Sequence, residues 1–449
     1  MSSVQGFGFN SPRTKLTQSQ LNAVLARHQA FRKSQPGGVR ANLKLRDLSY
    51  LNLSGMDLSE ADLSGAKLFS ARLTGATLTN AVLYAADLRL ANLESSDLRR
   101  ADLRGACLRG AVLSDAVMVE ADLREGTLMH QAPSGELNPH HLDNAVLTSE
   151  LTATMARGVD LSRAKLASAF VMQADLTDAI LRGTKFMRAN LSNSNMTGAD
   201  LTGADQSEAN MTGAKLSGAL LTGATIARAN FANANLIGAI LDAAQIASGN
   251  LSGALRAKTL ENADDDLRDI LASHLAWIDS SGKDGQRADL STLDLSGRRL
   301  NGINLSAAIL QCVTLCSADL SNATLAIADL SLSDLRGVNL TRADLRGINF
   351  ERATLTGADL TGAQLSPIHI QTMSGHVWRA NLQRARMNGA VLRGTDLRKV
   401  NLSGADLTGA NLAGANLSEA DLSGADLTGA ILDGAILENI NHLDTIGLE

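Results

Sequence analysis

Residues Ala405 to Leu437 read ADLTGANLAGANLSEADLSGADLTGAILDGAIL, and a leucine returns at every fifth position: Leu407, Leu412, Leu417, Leu422, Leu427, Leu432 and Leu437. Each follows a small residue by two positions, and most follow Asp or Asn by one. Side chains recur on one face of a helix at about 3.6 residues and on one face of a strand at 2. A strict period of five keeps a single buried stripe in neither, so the chain must turn regularly. If each quintet is a short extended piece followed by a bend, the leucine and the small residue two before it point inward together. Gly, Ser and Thr then crowd the bends, where small residues accept unusual dihedrals.

The motif A(D/N)LxG, repeated in tandem over most of the chain, resembles the pentapeptide-repeat family. The resemblance implies an all-β solenoid, a right-handed quadrilateral β-helix with four quintets per coil, so that residues twenty apart stack at about the 4.8 Å strand spacing. Composition agrees with a thin interior. Aromatic residues are only 3% while apolar residues reach 45%, because Leu and Ala recur so often. No apolar run is long enough to span a membrane and no secretory signal is evident, which points to the cytoplasm. Cys107, Cys312 and Cys316 form neither a disulfide framework nor a metal-ligand pattern and read as small side chains at repeat positions.

Read in order, residues 1–16 are an aperiodic tail. Residues 17–38 hold a helix: Leu21, Val24, Leu25, His28 and Phe31 keep helical spacing, Thr17 and Gln20 suit a capping box, and Pro36 with Gly37 stops it. Its apolar face is expected to cover the first coil, whose end otherwise exposes apolar groups and unpaired backbone. Quintets run from Arg40 to Leu128 in one register and break at residues 129–145, where Pro133 and Pro139 forbid a central ladder strand. They resume at Val159 in a shifted frame, run to about Leu251 and fade through Leu255 and Leu260, so that 39–263 is a first β-helix. Residues 264–286 then repeat the helix: Leu267, Ile270, Leu271, His274 and Trp277 have the spacing of Leu21 to Phe31, and both stretches lead into Arg-Ala-Asn/Asp-Leu. This is an internal duplication. The second β-helix, 287–449, breaks at 366–380 around Pro367. The reading is therefore two modules, each with an N-terminal capping helix.

Chemistry is sparse. His130, His140, His141, His369 and His376 lie in the two interruptions without companion ligands, and His28 and His274 read as packing residues on the helices. No catalytic residue, cofactor or metal is expected, since the outward Ser, Thr and Asp have no cleft in which a base meets a nucleophile. Gln206 takes an inward centre between Leu201 and Met211, so its amide must bond an interior carbonyl or mark an irregularity. Charge is the clearest lead. The net is −5 overall, yet Val400 to Glu449 holds Asp406, Glu419, Asp421, Asp426, Asp433, Glu438, Asp444 and Glu449 with no Lys or Arg, whereas Arg99, Arg100, Arg104 and Arg109 face only Asp102. The expected function is a non-catalytic scaffold or protein-interaction module for a protein partner, using flat faces, the histidine-bearing excursions and the acidic end. No direct nucleic-acid or membrane binding is expected, and exposed coil ends could pair two copies. The alternative rests on the resemblance, since some family members mimic DNA and modulate type II topoisomerases such as gyrase. Here that would fall to the acidic C-terminal end alone.

Overall fold

A computed structural model describes residues 14–126, 129–131, 137–139, 148–248, 250–258, 263–369 and 377–448. Leu128, Leu260, His140, His141 and His376 lie outside them. The named elements are β1 (Thr14–Lys15), α1 (Gln18–Arg32), β2 (Arg46–Asp47), β3 (Met129–Gln131), β4 (Leu137–Pro139), α2 (Ala243–Ala247), α3 (Ala263–Asp279), β5 (Ile368–His369) and β6 (Val377–Trp378). Almost everything else is coil of one kind: single parallel bridges join residues twenty apart, such as Asp406 to Asp426 and Asn411 to Ile431. Four quintets therefore close one turn of an all-β solenoid.

Each letter of the motif has a physical task. In Ala405-Asp-Leu-Thr-Gly409, the Leu407 N–H donates to the Asp426 carbonyl of the next coil at 2.8 Å, and the Asp426 N–H returns to the Ala405 carbonyl at 2.9 Å. The Ala410 N–H bonds the Leu407 carbonyl at 2.9 Å across a tight turn, with Gly409 at φ 63°. That is the turn geometry that demands a left-handed third residue and favours glycine there. Glu419 takes the same place at φ 57° without being glycine. Asp406 Oδ1 accepts the Thr408 N–H at 3.0 Å, so the residue before each leucine fixes the turn with its side chain. Leu407, Leu412, Leu417, Leu422 and Leu427 are fully buried, as are their alanines. Leu432 and Leu437, on the last coil, are only partly buried.

The chain divides into two compact units: the first runs to Asn235 and takes Ile240–Ala254, the second has Leu236–Ala239 and the chain from Leu255. In the first unit, α1 carries the expected capping box on Thr17 and Gln20 and buries Leu21, Leu25 and His28. Val24 is half-buried and Phe31 is exposed, lying flat on the His28 ring at 5.9 Å. Residues 14–16 do not behave as a loose tail: β1 pairs in parallel with β2. In the second unit, α3 buries Leu267 and His274 and packs Ile270 and Leu271 against the core, with Trp277 stacked on His274 at 5.8 Å.

Several boundaries differ from the sequence reading. The ladder of the first unit resumes at Glu150, two quintets before Val159, with buried Leu151 and Ala156 as centres. A small residue at a centre hides the period. Regular bridges end at Ile240, and the short α2 follows. The stretch read as a fading end belongs to the second unit, where Lys258 bridges Leu293. The two interruptions contain antiparallel hairpins, β3 with β4 and β5 with β6. Pro139 pairs at the open end of its two-stranded hairpin, where its missing N–H costs little.

Candidate functional site

The acidic C-terminal residues divide by position in the quintet. Asp406, Asp421 and Asp426 stand just before a leucine, and each accepts the N–H two residues on, from Thr408, Ser423 and Thr428, at 2.9 to 3.0 Å. Asp421 also receives the Asn441 amide from the next coil at 2.9 Å. Glu419 pairs with Lys399 at 3.2 Å. Asp433 and Glu438 are exposed, and their carboxylates have no hydrogen bond or ion pair among the described residues. Half of these six acids serve turns rather than a partner. His130 and His369 lie in the hairpin strands β3 and β5. Among the described residues, no three of His, Cys, Asp and Glu are placed to hold a metal ion.

Arginine follows the same grammar. In Asp-Leu-Arg quintets the guanidinium folds back on the aspartate two residues earlier: Arg99 on Asp97, Arg104 on Asp102, Arg124 on Asp122, Arg346 on Asp344 and Arg398 on Asp396, each within 2.5 to 2.7 Å at the closest pair. Hydrogen bonds from Arg99 and Arg398 hold the Asp97 and Asp396 carboxyls below the usual carboxylate range. In Asp87 the carboxylate is fully buried and Arg89 supplies its charge partner through Nε and Nη2.

The helices show a shared device. His28 Nδ1 accepts the Ala41 N–H at 3.1 Å and His274 Nδ1 accepts the Ala288 N–H at 3.0 Å, each satisfying a donor at the start of the first coil. Both rings are buried, and burial lowers both pKa values below the ordinary 6.5. Among the described residues their Nε2 atoms lack a partner in hydrogen-bonding geometry, although the Ser59 and Ser306 backbones lie close enough to act on the two rings. Gln206 goes further. It is fully buried between Phe186 of one coil and Ile226 of the next, and neither its Nε2 nor its Oε1 has a hydrogen-bond partner among the described residues. The expected carbonyl contact is absent, and the irregularity is confined to the side chain because the ladder continues through Asp205. Cys107 and Cys312 are unpaired thiols pushed up to about 11 by burial.

The sequence reading singled out Arg104 and Arg109 but missed the aromatic cluster to which they belong. In the first unit, two columns of residues twenty apart read aromatic, Arg, Arg: Phe69, Arg89, Arg109 and Tyr84, Arg104, Arg124. Arg89 lies 5.7 Å above the Phe69 ring and Arg104 5.4 Å above the Tyr84 ring. Tyr50 meets Phe69 edge to face at 5.7 Å. Reading the chain at a period of twenty rather than five would have found them. The groove beneath α3 in the second unit is lined by Leu267, Leu271, Leu275, Leu300 and arginines, and holds no nucleophile beside a base.

The pattern described as pentapeptide repeats matches residues 39–130, 150–255, 299–366 and 379–441, well over half of the chain. No curated protein matches the sequence. Among solved structures, the chain is similar to HetL, a pentapeptide repeat protein involved in heterocyst differentiation regulation from Nostoc sp. strain PCC 7120, at 22% identity over 92% of this chain and 95% of that one, TM-score 0.19. It is similar to Rfr23 of Cyanothece 51142 at 21% identity over 34% and 90%, TM-score 0.22. QnrB1, a plasmid-mediated fluoroquinolone resistance protein, matches at 20% identity over 34% and 86%, TM-score 0.23. Whole-molecule superpositions at such scores carry no argument, and the repeat match alone decides kinship.

Proposed function

The chain belongs to the pentapeptide-repeat family, whose repeats wind into a right-handed β-helix, and from that premise we propose that it is a non-catalytic scaffold presenting solenoid faces and hairpin excursions to a protein partner. The observation that carries this reading is the use made of the polar side chains. Aspartates fix turns, arginines neutralise them, and the leucines and alanines fill the interior, leaving no recess with a reactive pair among the described residues. The proposal includes two modules, each headed by its helix, α1 or α3, which covers the first coil and accepts its leading N–H through a histidine. It also places the chain in the cytoplasm, in keeping with three unpaired cysteines; no helix among the described residues is long and apolar enough to cross a membrane.

Affinity capture with the full chain as bait tests the reading. One protein should be retained in stoichiometric amount, and deleting residues 129–145 or 368–379, the second of which restores the twenty-residue step, should reduce it. Retention of nothing above an unrelated solenoid control would overturn the proposal. Gyrase modulation through the acidic end is disfavoured by the turn-fixing role of Asp406, Asp421 and Asp426. A supercoiling assay with micromolar protein is expected to show no effect. The last described coil favours a secondary use in self-pairing, because Ile431, Ile436 and Ile446 are exposed where the preceding coil carries Asn411, Asn416 and Asp426. Sedimentation that stays monomeric at high concentration would remove it.

A further inference from the structure

The two aromatic-arginine columns occupy adjoining faces of the first unit and flank one corner of its coils. That corner is low. Leu45 spreads over Gly65, which has no side chain of its own, and the column continues through Ala85 and Gly105. Leu45 is 60% exposed there, and at the next corner, beyond Phe69 and Arg89, Tyr50 and Leu90 are 65% and 55% exposed. Three of the chain's twelve aromatic residues, Tyr50, Phe69 and Tyr84, thus lie along one face and the corners at its two edges, in a protein where aromatics are only 3%.

The charge presented there is positive although acids and bases alternate in the sequence. The Asp87 side chain is fully buried under Arg89, which is 40% exposed; Asp102 and Asp122 are 26% and 18% exposed against 42% and 46% for Arg104 and Arg124. Apart from Glu125, exposed at the end of the corner column, carboxylates lie inside and guanidinium groups outside. Arg109 is exposed and has no ion pair among the described residues. Arginine stacked on an aromatic ring is rigid and weakly hydrated, and Tyr with Arg is the composition from which interface hot spots are drawn.

We propose that this face of the first unit, with the corners at its two edges, is a docking surface for an acidic segment of a partner protein, one whose carboxylates meet Arg104, Arg109 and Arg124 while its apolar side chains lie on Tyr50, Leu45 and Leu90. The proposal rests on the protein-interaction reading above and names the chemistry of the partner. A nucleic acid fits less well. Arg104 and Arg124 have committed Nε and Nη2 to their aspartates, leaving the Nη1 edge, whereas a phosphate backbone is held by a run of uncommitted cations. A mixed acidic and apolar peptide uses both kinds of group.

The full chain is titrated with a fluorescein-labelled random copolymer of glutamate and tyrosine, with polyglutamate and single-stranded oligothymidylate as comparison probes. The variants are Tyr50→Ala, Arg109→Glu and their double. Arg72→Glu is the control, because Arg72 is exposed and belongs to neither aromatic-arginine column. None of these side chains is buried or ion-paired, and unchanged melting confirms that each variant folds. The copolymer should bind more tightly than polyglutamate or oligothymidylate. The double variant should weaken it by at least about tenfold, the size of a hot-spot loss, and Arg72→Glu should leave it unchanged. Absence of copolymer binding, equal loss in Arg72→Glu, or preference for oligothymidylate overturns the proposal. If affinity capture retains a partner that the double variant holds equally well, the interaction reading stands and this surface falls. If capture retains nothing while the copolymer still binds, the reverse holds.

Discussion

The surroundings of α1 and α3, the two helices proposed to head the modules, agree in some contacts and differ in others. In each, a histidine inside a helix accepts the N–H of the alanine that opens the first coil, and an aromatic side chain one turn later stacks on the histidine. In each, a residue preceding the helix pairs with the first coil: Lys15 with Asp47, and Lys258 with Leu293. The versions diverge at the next edge position. Gln18 of α1 spans the Asn52 backbone, accepting its N–H and donating to its carbonyl, both at 2.9 Å. The corresponding Arg299 N–H has no partner among the described residues. What the duplication has kept is the treatment of the first donor, where a buried N–H without a partner is expensive. What it has let vary is an edge that water can serve.

Four measurements would break or sharpen this comparison. The largest effect tests whether the two starts are equally closed. Leu48→Asp and Leu295→Asp place a carboxylate at fully or almost fully buried centres of the two first coils, and each should cost about 3–5 kcal/mol. A midpoint shift in urea for one and not the other would show that only one is sealed. Next, the interiors differ at Gln206, an unpartnered amide in the first unit. Gln206→Leu should stabilise by about 1–3 kcal/mol, and a lower melting temperature would mean that the amide is satisfied in solution.

The histidines give the third. Burial lowers the pKa of His28 and His274 from 6.5, so the unfolded chain binds protons first as pH falls. Stability is complete above 6.5 and declines from there through the lower folded-state values. Carboxylates such as Asp97 and Asp289, lowered by hydrogen bonds from Arg99 and Ser291, are lost only near and below 3.8, so the two windows separate. The double variant His28→Asn, His274→Asn keeps an acceptor without titrating there and should flatten the melting temperature between pH 6.5 and 5. The smallest effect is Gln18→Ala, at about 1 kcal/mol. If it costs nothing, the extra edge contact in the first unit is ornamental and the two starts are energetically equivalent.

The sequence told most about the parts that repeat. Five-residue spacing of leucine carried the solenoid, and proline placement located both hairpin excursions. It misled where a repeat loses its signature side chain: Ala156 at a centre, with Thr154 before it, hid the resumption at Glu150. The five residues of α2 are too short and too alanine-rich to stand out from such a background. The functional lead was weighted wrongly for a related reason. Asp406, Asp421 and Asp426 looked like surface charge, but an aspartate before a leucine is a turn-fixing acceptor in this fold. Phe69, Arg89 and Arg109 carried no local pattern, since contact between them exists only through the twenty-residue pitch.

The ladder step across the first excursion runs from Cys107 to Glu150 and across the second from Asn349 to Asn381, which is 23 and 12 residues beyond the usual twenty. Neither surplus is a multiple of five. The stack is indifferent to how long a detour is, provided the returning strand lands on its column, so these two openings are natural ports. Foreign cassettes of arbitrary length could be grafted there, and a lineage could change what it displays without rewinding what it stands on.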